Sequence, residues 1–126
     1  MIKLIVYGLK NGHPTNLDLK IGVTELRNPH RIRKLQELTG FDEAVKLDVR
    51  SAPNYQECLR KWVERIHKAH VKHLIDCHQC GGEHTQMTVG VHCLAGRHRS
   101  VVVAQDLAAA LSGKHNVSIE YRDVRK

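Results

Sequence analysis

The stretch Met87-Thr88-Val89-Gly90-Val91-His92-Cys93-Leu94-Ala95-Gly96-Arg97-His98-Arg99-Ser100-Val101-Val102-Val103-Ala104 decides the fold. Met87, Val89 and Val91 alternate with Thr88, Gly90 and His92, the period-two pattern of a strand with one face against a core. A strand is expected over residues 85–92. A glycine-containing loop follows, and residues 100–111 are then apolar almost all round before Gly113. That pattern reads as a buried helix closed by a left-handed glycine cap. Strand, short loop and buried helix form the unit from which α/β layers are built.

Working outward, Ile2 to Tyr7 are mostly apolar and partly β-branched, a short buried strand that stops at Gly8. Lys10-Asn11-Gly12-His13-Pro14 has the composition of a turn, and residues 19–24 alternate as a second strand. Asn28-Pro29 opens a short helix with Ile32, Leu35 and Leu38 on one face, ended by Gly40. Asn54 and Glu57 form a capping box for a long helix. Its stripe is Tyr55, Leu59, Trp62, Ile66 and Ala69, with Cys58 beside it as a small buried hydrophobe. Residues 116–121 supply a last strand. The expectation is one α/β domain over residues 1–126: a single-layer mixed sheet of about four strands flanked by helices.

Composition narrows the partners. The 126 residues carry 20 Lys+Arg against 13 Asp+Glu, a net charge of +7, so anions are favoured: nucleic acid, phosphorylated metabolites or an acidic surface. Aromatic residues make up only 4%, too few for a surface that stacks many bases. No apolar run is long enough to span a bilayer, and the first residues lack a signal-peptide pattern. A cytoplasmic location without membrane contact is expected. With no secretory signal, the four cysteines, Cys58, Cys77, Cys80 and Cys93, read as reduced thiols rather than disulfides.

The loop of residues 93–100 carries the chemistry. A strand-to-helix turn can direct several N–H groups inward, and the helix N-terminus adds partial positive charge. Arg99 can offer a two-pronged guanidinium, Gly96 a positive φ or a close backbone approach, and Ser100 an N-cap hydroxyl. The loop is expected to hold a phosphate group. The cations Arg27, His30, Arg31, Arg33 and Lys34 read first as a solvated face and second as a track for an RNA backbone.

Two resemblances meet on these residues. His92-Cys93-x-x-Gly96-x-x-Arg99-Ser100 resembles the signature of cysteine-dependent protein tyrosine and dual-specificity phosphatases. That resemblance implies Cys93 as nucleophile, Arg99 as phosphoryl binder and Ser100 as support for the leaving thiolate. It also requires an aspartate acid. No matching motif is present, and Asp42, Asp48 and Asp76 are the unanchored options, Asp106 lying inside the final helix.

The second resemblance runs almost the length of the chain. Tyr7-Gly8-Leu9-Lys10-Asn11-Gly12, Asn28-Pro29-His30, Leu38-Thr39-Gly40 with Asp42, Thr88-Val89-Gly90-Val91, His98-Arg99-Ser100-Val101 and Tyr121-Arg122-Asp123 occur in the order found in the C-terminal domain of the RNase adapter protein RapZ family. The resemblance implies a regulator that binds glucosamine-6-phosphate, forms oligomers and contacts small RNA through a basic surface. It places Cys93, Leu94, Ala95, Gly96, Arg97, His98, Arg99 and Ser100 around the phosphate, with Thr39 and Gly40 approaching from a neighbouring loop. Arg122, Arg125 and Lys126 match the basic RNA-facing segment. The family's usual Cys-Thr-Gly-Gly is Cys93-Leu94-Ala95-Gly96 here, and an Asp and an Arg of its second strand are replaced by Gly22 and Thr24. No Walker loop precedes these elements, so NTP hydrolysis is not expected of them. A separate P-loop protein or another copy of the chain is the expected protein partner.

His73, Cys77, Cys80 and His84 form a cluster beyond the family pattern. Their spacing suits zinc, the bland alternative being an incidental Cys/His loop. No other cofactor is indicated.

Overall fold

A computed structural model describes residues 1–79 and 86–125. The apolar N-terminal run forms β1 (Ile2–Gly8), and the alternating runs form β2 (Leu19–Gly22) and β3 (Met87–Cys93). β4 (Val117–Tyr121) completes a sheet of order β2-β3-β1-β4. β1 is therefore central, paired to β3 from Ile2↔Met87 to Gly8↔Cys93 and to β4 from Ile2↔Val117 to Val6↔Tyr121. The expected four-stranded α/β sheet flanked by helices is present. Its pairings are parallel in all three cases rather than mixed, because each strand returns through a connection instead of a hairpin.

Three helices supply the second layer: α1 (Glu43–Arg50), α2 (Tyr55–Gln79) and α3 (Arg99–Leu111). Strand alternation puts Ile2, Leu4, Val6, Met87, Val89 and Val91 into one core with Val101, Val102 and Leu107 of α3, all fully buried. Burial of each such side chain stabilises the fold by roughly 1.5–3 kcal/mol. On α2 the buried stripe is Tyr55, Cys58, Trp62, Ile66 and His70, while Leu59 and Ala69 flank it half-buried. Asn54 donates its side-chain amide to the Glu25 carbonyl at 3.2 Å. Asp106 of α3 ties the helices together, taking both prongs of Arg50 at 3.0 and 2.7 Å and the hydroxyl of Tyr55.

Some local expectations change. Residues 28–38 form two 3-10 turns, Pro29–Arg31 and Arg33–Leu35, not one helix. Ile32 between them has extended dihedrals (φ −101°, ψ 114°), which breaks the helical run. α1 gave little signal, since it buries only Val45 and Val49 and leaves Leu47 exposed. Gly113 is not a left-handed cap: α3 ends at Ser112 in the right-handed region, and the following turn is closed by His115 N–H donating to Leu111.

Four histidines sit in surroundings that disfavour their charged form. Burial lowers the pKa of His70, His92, His98 and His115, and nearby positive groups add to it. His115, His73, His67 and the amino terminus face His70; His67, Lys114 and the amino terminus face His115. His13 and Lys20 face His92; Arg97, His30 and Arg99 face His98, whose contact with Leu38 opposes the shift. In the unfolded chain these rings take up protons near pH 6.5, before the native state does. Their contribution is therefore intact above that pH and lost as pH falls through the lower native values. The urea midpoint should fall steadily from pH 7 to pH 5, and a midpoint rising on acidification would contradict this.

Candidate functional site

β3 ends at Cys93, level with Gly8 of β1, and α3 begins at Arg99. The five intervening residues form the loop. Gly96 has φ +75°, and a Cβ there would lie 2.5 Å from Gly8 N and 2.6 Å from Tyr7 C. A Cβ on Gly8 would lie 2.4 Å from the Ala95 carbonyl carbon. The loop thus lies flush on the end of β1, a fit that only two facing glycines allow.

Buried Asp123 locks this junction. Its Oδ2 accepts the Gly8 N–H at 2.7 Å, and its two oxygens take Arg122 at 3.0 and 2.9 Å. Arg122 also donates to the Gly12 carbonyl at 2.6 Å and lies over the Tyr7 ring.

Two loop carbonyls are satisfied from outside: Leu94 O accepts from Lys10 N at 3.1 Å, and Arg97 O from Gly40 N at 2.7 Å. The amides differ. Among the described residues, the N–H groups of Leu94, Ala95, Gly96, Arg97 and His98 donate to no protein acceptor. The first-turn amides of α3 have no intrahelical partner either, and His98 at the N-cap provides no side-chain cap. Ser100, expected at the N-cap, is the second helical residue; it is fully buried with Oγ 3.1 Å from Cys93 Sγ.

Arg99 is 7% exposed. Its Nη1 donates to the carbonyls of Thr24 (3.2 Å) and Leu26 (3.1 Å), while its buried Nε has no partner among the described residues. One edge of the guanidinium is pinned, and N–H capacity remains on the rest of the fork. Arg97 is arranged alike, Nη2 on the Glu37 carbonyl at 3.1 Å and Nε unpartnered. His98 Nε2 contacts the Leu38 carbonyl at 2.6 Å.

A cavity of about 310 Å³ opens on this loop. Cys93, Leu94, Ala95, Arg97, His98 and Arg99, all named in the sequence analysis, line it. Gly96 and Ser100 support the loop from behind. Thr39 and Gly40 also stand behind it: a Cβ on Gly40 would lie 2.8 Å from the His98 carbonyl. Lys10, Asn28, His30, Gln36 and Glu37 form the opposite wall, and sequence reasoning did not assign them to the site. The signal that could have found them is topological. They lie on connections leaving the carboxyl ends of β1 and β2, where ligands of parallel α/β sheets bind.

The carboxylates considered as phosphatase acids are elsewhere. Asp42 accepts the Thr39 N–H at 2.8 Å, Asp48 pairs with Arg31 at 2.8 Å, and Asp76 is exposed on α2. Glu37 is the carboxylate that lines the cavity.

Of the basic C-terminal residues, Arg122 is occupied by Asp123 and Gly12, Arg125 is exposed, and Lys126 lies outside the described residues. In the Cys/His cluster, His73 Nε2 and Cys77 Sγ are 3.5 Å apart, one helical turn from each other. Cys80 and His84 lie outside the described residues, among which no group of three or more His, Cys, Asp or Glu is placed to hold a metal. No described helix is long and apolar enough to cross a membrane.

A parallel sheet whose β3–α3 turn combines unpaired amides with a pinned guanidinium defines an α/β domain with a donor-rich loop at the carboxyl end of its strands. The chain belongs to the RapZ C-terminal domain family, whose model matches residues 1–125. It is 37% identical over 128 residues to a protein of Rubrobacter xylanophilus named a nucleotide-binding protein, covering 98% of this chain and 40% of the relative. A protein of the same name from Listeria monocytogenes is 32% identical over 125 residues, covering 99% of this chain and 41% of the relative. The chain spans about two fifths of the length of these curated relatives.

Proposed function

We propose that the protein is a binding and regulatory module for a phosphorylated small molecule, a sugar phosphate or a nucleotide. The observation that carries this reading is the buried Nε of Arg99, unpartnered among the described residues, in a loop whose own amides lack acceptors among them. Buried donors without partners are costly, and a tetrahedral anion would satisfy several together. Net charge and the relatives' name support an anionic, nucleotide-like ligand. The cavity wall holds no Phe, Tyr or Trp among its described residues, which favours a sugar ester at this position. Self-association and RNA contact are the wider parts of the same reading, supported by family membership and basic charge.

Binding is preferred to hydrolysis because Asp42 and Asp48 are already engaged by other groups and Asp76 does not line the cavity. Calorimetry with glucosamine 6-phosphate, a nucleoside monophosphate and their dephosphorylated forms tests the reading. At least one ester should bind more than tenfold tighter than its parent alcohol, with no turnover of an aryl phosphate. Equal affinity with and without the phosphate would end the proposal. A turnover abolished by Cys93→Ser would replace it with the phosphatase reading.

A further inference from the structure

A second concavity, which shares no lining residue with the first, lies at the carboxyl end of β4. Phe41, Tyr121, Arg122, Val124 and Arg125 line an open cleft of about 440 Å³. The rings of Phe41 and Tyr121 meet edge to face, centroids 4.8 Å apart at 73°. Phe41 is 43% exposed, so a large apolar ring is held in place by its neighbour while part of it stays in water. The chain has a single Phe and three Tyr, and Tyr7 and Tyr55 are fully enclosed, which makes this pair its accessible aromatic surface.

The charges beside the rings are unequal. Arg122 is fixed by buried Asp123 and the Gly12 carbonyl, forming a rigid wall. Arg125 is exposed and makes no hydrogen bond or ion pair among the described residues. Burial raises the pKa of the Tyr121 phenol, so it stays neutral at physiological pH and adds no negative charge.

We infer that this cleft is a nucleotide-stacking site, in which a base lies against Phe41 and Tyr121 and its phosphate is drawn to Arg125. Ring-on-base stacking tolerates every base, and a neighbouring guanidinium supplies the charge that a sugar or an uncharged aromatic would not need. The site shares no lining residue with the first cavity, whose described lining residues include no Phe, Tyr or Trp. The nucleotide can be a free molecule or one unit of single-stranded RNA, and the two sources share this chemistry.

The test is titration of the full chain with AMP, ribose 5-phosphate and a short oligoadenylate at fixed salt. In an Arg99→Lys protein, whose first cavity holds phosphate esters only weakly, AMP should bind through the cleft and ribose 5-phosphate should not. Phe41→Ala should weaken AMP about tenfold while Phe41→Trp restores it, and Arg125→Gln should weaken AMP and flatten its salt dependence. The partial exposure of Phe41 makes both variants tolerable to the fold, which circular dichroism checks. These losses must persist in an Arg99→Lys background, which separates this cleft from the first cavity. An oligoadenylate more than tenfold tighter than AMP identifies RNA as the source, and equal affinities identify the free nucleotide. In the Arg99→Lys background, AMP binding that is unchanged by Phe41→Ala, or matched by ribose 5-phosphate, would overturn the inference.

Discussion

Gly96→Ala is expected to cost about 3 kcal/mol or more in urea unfolding and to abolish ligand binding at the loop. Two penalties coincide. The residue sits at φ +75°, and the added methyl would stand 2.5 Å from the backbone nitrogen of Gly8. Neither contact can yield by rotating a side chain, because both partners are main chain. Gly12→Ala separates the two effects: that glycine also has a positive φ (+82°), but nothing lies within 4 Å of its missing Cβ. It should cost only the conformational strain of an essentially glycine-only region (φ +82°, ψ 154°), about 1–3 kcal/mol. Equal effects of the two substitutions would show that the loop does not rest on β1 as described.

The second large effect is at Arg99. Arg99→Ala removes the donor that serves the carbonyls of Thr24 and Leu26 and opens a space in a buried wall. Loss of about 2–4 kcal/mol of stability is expected, together with at least a hundredfold loss of affinity for a phosphate ester. Because one substitution strikes both, Arg99→Lys is the informative partner. An ammonium keeps the charge and can reach a carbonyl, so part of the stability returns, but it lacks the planar fork and affinity stays low. Full binding by the lysine protein would show that charge alone attracts the ligand. Unchanged binding by the alanine protein would remove Arg99 from the site altogether.

Much of the scaffold was legible because its signals are periodic. The alternation of Met87, Val89 and Val91, the glycine after Cys93 and the apolar run of α3 mark the strand, loop and helix that hold the site. Parallel pairing was not readable, since alternation says which face a residue takes and not which way its neighbour runs. α1 escaped because two valines on one short helix are too weak a pattern. The near wall of the cavity is one contiguous segment and could be read as such. The far wall comes from Lys10, Asn28, His30, Gln36 and Glu37, residues brought together only by the strand order β2-β3-β1. The pairing of Arg122 was unreadable for a related reason: its partner Asp123 is buried against the end of β1, which only the fold shows.

The central position of β1 governs how the chain must assemble. β1 is made before the other three strands and pairs with β3 and β4, so its main-chain groups wait for partners until residues 87 onward have been made. Parallel ladders closed across such long intervals form slowly, and an apolar strand left waiting invites association with other nascent chains. Coupled synthesis and folding of this molecule should therefore be limited by the arrival of β3, and helices formed earlier cannot substitute for it.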